Sequence, residues 1–143
     1  MALRLERRYR FSAAHLYRRP AWSDEENRRR FGKCSIEPGH GHNYRLWVKV
    51  AGEVDAETGF VVDLGALDRL VDREVIEPLD HRHLNHALPE FAAGGQIPSS
   101  ENLVAWIRRR LEGALPAGVR LVGLRLEEDE DLACEWVCEE AAG

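Results

Sequence analysis

The sequence predicts an α+β fold: a four-stranded antiparallel sheet with two helices on one face, in the order ββααββ. Three observations predict it. Two long N-terminal segments alternate apolar and polar residues with period two, the mark of half-buried strands. Two central segments repeat apolar residues at helical spacing. The C-terminal part reads as two strands joined by an acidic turn.

The first strand runs from Arg4 to Leu16. Leu5, Tyr9, Phe11, Ala13 and His15 share one parity; Arg4, Glu6, Arg8 and Arg10 share the other. Residues 17 to 39 are polar, carry Pro20, Gly32, Pro38 and Gly39, and read as a long loop, which in a compact domain points to function or disorder. His42 to Val54 is the second strand, with Tyr44, Leu46, Val48 and Val50 on one side and Arg45, Trp47 and Lys49 on the other. Asp63 can cap a helix from Leu64 to Ile76, which Pro78 ends. Residues 79 to 98 read as another loop. Ser99 or Ser100 caps the second helix, with Glu101 in its first turn and Leu103, Val104, Ile107 and Leu111 as its buried stripe. Val119 to Glu128 and Leu132 to Val137 close the chain as a hairpin. Short connections make neighbouring strands antiparallel and put both helices on one face.

The chain of 143 residues is expected to form a single domain, 1–143. Its formal net charge of −5 argues against nucleic-acid and anionic-membrane partners, which reward a basic face. The clusters Arg28-Arg29-Arg30 and Arg108-Arg109-Arg110 read as solvated surface. No secretory apolar segment opens the chain, and no apolar run approaches the roughly 18 residues of a membrane span. An odd set of three cysteines (Cys34, Cys134 and Cys138) then reads as reduced thiols in the cytoplasm.

The chemistry concentrates in Gly39-His40-Gly41-His42-Asn43. Residues two apart on a strand share a face, so His40 and His42 can aim at one point. His15 ends the first strand on its apolar parity, where an unpartnered imidazole is costly. If the two strands pair antiparallel, three imidazoles converge. Three nitrogen ligands with a fourth position open suit a catalytic Zn²⁺.

Several groups nearby can move protons. Cys34 is either a base favoured as thiolate by a cation or an inert buried thiol. Glu37 is a second base or a solvated loop carboxylate. Asp80-His81 is a carboxylate–imidazole pair suited to a relay, although His83 and His86 compete for that role. Glu127 and Glu101 can each accept two parallel N–H bonds from a guanidine-like amide edge; alternatively one ends a strand and the other serves the helix dipole. Cys134 and Cys138 are assigned to packing or to exposed strand ends.

Taken in order, Phe11-Ser-Ala-Ala-His15, Phe31-Gly-Lys-Cys34, Gly39-His-Gly-His-Asn-Tyr44, Gly59-Phe-Val-Val-Asp63, Leu79-Asp-His81 and Ser99-Ser-Glu-Asn102 make the chain resemble the 6-pyruvoyl-tetrahydropterin synthase / 6-carboxy-tetrahydropterin synthase family over nearly its whole length. The resemblance implies a tunnelling fold (T-fold) and a homohexamer, a dimer of trimers with active sites between subunits. It implies 7,8-dihydroneopterin triphosphate as substrate. Carried over by position, His15, His40 and His42 are the zinc ligands and Cys34 the thiol base. Asp80 and His81 are the acid–base pair, contributed to a neighbouring subunit. Glu127 is the pterin anchor and Glu101 a second ring contact, at a helix start that includes Ser99 and Ser100.

The six-residue step from Cys34 to His40 resembles the pyruvoyl-forming branch. Glu37-Pro-Gly-His40 resembles a branch in which a glutamate replaces the cysteine and 6-hydroxymethyl-dihydropterin is released for folate synthesis. Having both resembles a dual-function bacterial subgroup linked to the queuosine (7-deazaguanine) precursor. On this reading 6-carboxy-tetrahydropterin synthase activity ranks first, with the hydroxymethyl product alongside and the pyruvoyl product close behind. Two other readings compete. One is a non-catalytic pterin- or zinc-binding oligomer, disfavoured by the intact Cys34, Asp80 and His81. The other is a GTP cyclohydrolase, disfavoured by the three-histidine pattern and short length.

Overall fold

The computed structural model describes residues 2–141; Met1 and residues 142–143, part of the expected domain, lie outside the described residues. Two strands dominate. β1 (Ala2–His15) and β2 (His40–Glu53) pair antiparallel in unbroken register, from Ala2↔Glu53 to His15↔His40. The alternation written in the sequence sets their faces. Phe11, Ala13, Tyr44, Leu46, Val48 and Val50 are buried, while Arg8, Arg10 and Arg45 face outward and exposed. β4 (Arg120–Asp129) pairs with β2, and β5 (Leu132–Val137) with β4. Leu124 and Leu126 add to the same buried face.

Two long helical segments cover that face, and Leu84, Leu88 and Phe91 from the segment between them complete the core. α2 (Leu64–Val71) is capped by Asp63, whose carboxylate accepts from the backbone of Gly65 and Ala66. It continues through a wider π-type turn, Asp72–Ile76, into the single turn α3 (Glu77–Leu79). Pro78 removes a backbone donor there. The Glu74 carbonyl instead accepts from Arg110 Nε at 3.1 Å, so a side chain of the other long helix satisfies it. That helix, α5 (Ser100–Leu111), is capped by Ser99, whose hydroxyl accepts from Asn102 N. Leu67, Leu70, Val71, Leu103, Ile107 and Leu111 meet the sheet in one buried cluster.

The structure departs from the expected ββααββ order in two loops. Residues 17 to 39 contain α1 (Asp24–Phe31) and a 3-10 turn, Gly32–Ser35. α1 is polar nearly all round, so it has no apolar stripe to read. Its signal is the cap: Ser23 accepts from Glu26 N. Asn27, its buried residue, ties the segment down. Its amide donates to the carbonyls of Arg19, Trp22 and Ser23 and accepts from Arg19 N. Asn27→Ala, which orphans these groups, is expected to cost about 1–3 kcal/mol of stability in a urea titration.

The second departure adds a strand. β3 (Arg82–His83) pairs parallel to β1, through Ala13↔Arg82 and Ala14↔His83, and α4 (Leu84–Ala87) follows. The sheet is therefore five-stranded and mixed, in the order β3-β1-β2-β4-β5, not four-stranded and antiparallel. Two residues are too few to display a period. β3 forms because its approach is clasped onto Ser12: His81 N donates to Ser12 O at 2.6 Å, and Ser12 N donates to Asp80 Oδ1 at 2.8 Å. Among the described residues no helix is long and apolar enough to cross a membrane.

Candidate metal centre

The register of β1 and β2 brings three imidazoles together. His15 lies opposite His40, and His42 opposite Ala13, two residues back along β1. The ring centroids of His15 and His40 and of His15 and His42 are 5.0 Å apart, those of His40 and His42 4.9 Å. Rings bound to one tetrahedral ion through nitrogens at ~2.0–2.1 Å have centroids roughly 5 Å apart, so the spacing fits. The strand starts at His40, two residues earlier than the alternation suggested.

Gly39 makes this approach possible. Its φ is +103°, and a Cβ there would lie 2.2 Å from the His15 carbonyl oxygen. Only glycine fits a left-handed residue against that backbone.

His15 is the centre of the group. It is fully buried, and Tyr44 OH sits 3.0 Å from its Nδ1. Its Nε2 is buried with no hydrogen-bond partner among the described residues. A buried nitrogen without a partner is costly unless something takes its lone pair. Burial, then the charges of His42, His40 and His83, push the His15 imidazole down to about 3. Burial, then His42, lowers His40 as well. Both are thus neutral at pH 7, the state in which imidazole ligates a metal.

Two further donors flank the rings. The 3-10 turn delivers Cys34, whose Sγ lies 3.9 Å from His40 Nε2. Burial, then the charge of Glu128, pushes its thiol up. Glu128 is 5% exposed, and its Oε1 lies 3.4 Å from both His15 Nε2 and His42 Nε2. Burial raises its carboxyl against the opposing pull of His42. The ligating atoms gather in two groups that share His15: His15 with Cys34 and His40, and His15 with His42 and Glu128, each within 4.8 Å. The site opens on a cleft of about 680 Å³ lined by Lys33, Cys34, His40, His42 and Glu128 among others.

Tyr17 closes the back. Its ring lies 4.5 Å from that of His15, and its hydroxyl points to Glu128 Oε1 at 3.5 Å. Burial, then the charge of Glu128, holds the phenol well above its ordinary range, so it stays a neutral donor.

The other candidates fall elsewhere. Glu37 is exposed on the loop after Cys34, ahead of the cis bond to Pro38. Asp80 and His81 form their pair, Oδ2 to Nδ1 at 2.9 Å, and belong to neither group of donor atoms around His15. The Ser12 N–H, ahead of His81, holds the Asp80 carboxyl below its ordinary range. His81 has φ +59° and an 83% exposed side chain, bordering a hollow shared with Ser12, His42 and Asn43. His83 Nε2 lies 2.9 Å from the Pro38 carbonyl, and its ring stacks on His86, so neither joins the cluster.

Glu127 points away from the cleft. Its carboxylate pairs with Arg45 and Arg125 on the uncovered face. The carboxylate on the cleft side belongs to the next residue, Glu128, which shares parity with Leu124 and Leu126 in β4. That parity was the available signal for it. Glu101 is exposed at the start of α5, near enough for its charge to raise Glu128 and Cys134. Ser99 is occupied as the cap, whereas Ser100 is 2% exposed and its hydroxyl has no partner among the described residues.

A sheet ending in one buried and two half-buried imidazoles, with a thiol and a carboxylate at a cleft, has the equipment of an acid–base enzyme able to hold a metal ion. Comparison with known proteins agrees. The family model "6-pyruvoyl tetrahydropterin synthase" matches residues 4–139, and the chain belongs to that family of pterin synthases. A 6-pyruvoyl tetrahydrobiopterin synthase of Pongo abelii is 40% identical over 127 residues, covering 89% of this chain and 86% of that one. The solved structure of Caenorhabditis elegans 6-pyruvoyl tetrahydropterin synthase superposes with a TM-score of 0.85 at 33% identity, covering 96% of each chain. A 6-carboxy-5,6,7,8-tetrahydropterin synthase of Synechocystis is 38% identical over 95 residues, 64% of this chain and 68% of that one. The relatives therefore reverse the order expected from the sequence: the pyruvoyl reading fits at least as well as the carboxy reading ranked first.

Proposed function

We propose that this chain is a zinc-dependent lyase that converts 7,8-dihydroneopterin triphosphate into 6-pyruvoyl-tetrahydropterin and triphosphate. The observation that carries this reading is the buried, unpartnered His15 Nε2, facing the His40 and His42 rings beside the Cys34 thiol. His15, His40 and His42 would hold the ion, which when bound supplies Lewis-acid stabilisation of charge on the substrate's side-chain oxygens.

The remaining roles belong to the chain. Cys34 takes a proton from a hydroxyl-bearing side-chain carbon. The electron pair moves into the ring, which gains the tetrahydro level. Triphosphate then departs from the terminal carbon with the C–O electrons, so no external oxidant or reductant is required. Asp80 and His81 supply the second proton transfer. The exposure of His81, and the pair's absence from the donor groups around His15, support service to a neighbouring subunit in a homohexamer of T-fold barrels. Glu128, the cleft-facing carboxylate, accepts the amide edge of the pterin in place of Glu127. Glu101 and the unpartnered Ser100 hydroxyl, with Ser99 as the cap that holds their turn, are assigned to the far edge of the ring. Three free cysteines support a cytoplasmic setting.

A second reading rests on Glu37, three residues before His40 at the start of β2 and on the same loop as Cys34. Glu37 would act as the base for side-chain cleavage, giving 6-hydroxymethyl-dihydropterin, while Cys34 serves the pyruvoyl or carboxy route. Chromatography of products from dihydroneopterin triphosphate with zinc tests both. Cys34→Ala is expected to suppress the pyruvoyl or carboxy product and Glu37→Ala the hydroxymethyl product. Unchanged ratios in both variants would remove the two-base idea. Tight binding without turnover would make the protein a pterin-binding oligomer.

A further inference from the structure

Tyr17 touches three parts of the metal centre. Its backbone N–H donates to the Cys34 carbonyl at 2.8 Å, anchoring the turn that carries the thiol. Its ring lies against the His15 ring, 4.5 Å between centroids and tilted by 38°. Its hydroxyl reaches toward Glu128 Oε1 at 3.5 Å. The ring is in turn braced by Phe31, edge-on at 6.0 Å, which stacks on Trp22. Thus α1 has a purpose in this part of the fold: its last residue, Phe31, backs the aromatic wall behind His15.

We propose that Tyr17 is a positioning residue with two separable functions: its ring fixes the His15 imidazole for the metal, and its hydroxyl turns the Glu128 carboxylate toward the cleft for the substrate. The 3.5 Å reach is long for an O–H···O bond. Hydrogen bonds of this kind tighten when the ligand arrives, and among the described residues Glu128 is the acceptor the phenol faces. A ring packed on a ligand acts as supporting contacts to ligands do, by removing the freedom to turn away. The substrate half of the inference rests on the pterin reading above; the metal half does not.

The experiment uses Tyr17→Phe and Tyr17→Ala in the full chain, with zinc affinity from competition against a chromophoric chelator and kinetics on dihydroneopterin triphosphate. Tyr17→Phe is expected to keep zinc affinity within about twofold while KM rises about 5–10-fold, the loss of one hydrogen bond to a charged group. Tyr17→Ala is expected to weaken zinc binding about 10-fold or more. Circular dichroism checks that each variant is folded, and Tyr17→Leu replaces the alanine variant if that one is not. Wild-type zinc affinity in Tyr17→Ala or Tyr17→Leu overturns the ring's function. A wild-type KM in Tyr17→Phe overturns the hydroxyl's function. If the wild-type protein itself turns over no pterin, the function proposed above fails, and the zinc titrations still decide the ring.

Discussion

His15→Ala is expected to strip the protein of its metal and abolish turnover. His15 belongs to both groups of donor atoms, so its loss leaves neither with three. Losing a mere supporting contact lowers metal affinity by about 10–100-fold; losing the shared ligand is expected to exceed ~100-fold. Metal content after dialysis, by atomic emission, reads the effect, with His86→Ala as a control that keeps its ion. One equivalent of tightly held zinc in His15→Ala would contradict the centre described.

The same residue gives a pH signature in the metal-free protein. Its folded pKa of about 3 lies below the ordinary 6.5, so the neutral form is favoured by folding. Stability from this source is fully present above pH 6.5 and is lost as pH falls from there through about 3. Carboxylates such as Asp68 and Asp80, also held low, lose stability in acid too. The comparison is therefore between proteins. Urea midpoints at pH 7 and pH 4 should lie further apart in metal-free wild type than in His15→Ala.

Cys34→Ala is expected to lower turnover by about 10²–10⁴-fold, the range for a proton-transfer group, while zinc content stays at the wild-type level. In the metal-free protein, burial and Glu128 hold the thiol protonated. A cation at the imidazoles opposes Glu128 and favours the thiolate. Alkylation by iodoacetamide at pH 7 should therefore run faster after zinc is added. This outcome discriminates between the two donor groups, because a Cys34 that ligates the ion would be protected. Protection would make Cys34 a ligand and remove it as the base.

Much of this centre is legible in the chain because strand geometry is periodic. The H-x-H spacing of His40 and His42 and the apolar parity of His15 require only that β1 and β2 pair antiparallel, which they do. Elements without a period are harder. α1 lacks an apolar stripe and announces itself only by Ser23 and Glu26; β3 has two residues. Tyr17 depends on how residues 17 to 31 fold back, which no local pattern encodes. Glu128 is the instructive case. Position in a motif pointed to Glu127, whereas side-chain alternation from Leu124 and Leu126 points to its neighbour.

The β4–β5 ladder skips Glu128: Glu127 pairs with Ala133, and Asp129 with Leu132. This irregularity gives one strand a residue its partner does not match, and that spare residue supplies the cleft's carboxylate. Insertions and deletions are therefore filtered unevenly along the hairpin. The turn beyond Asp129 can lengthen or shorten at small expense, but removing a single residue from β4 between Leu124 and Glu128 exchanges inside for outside. Such a deletion would send the Glu128 carboxylate to the Arg45 side and bring the shorter Asp129 side chain to the cleft in its place.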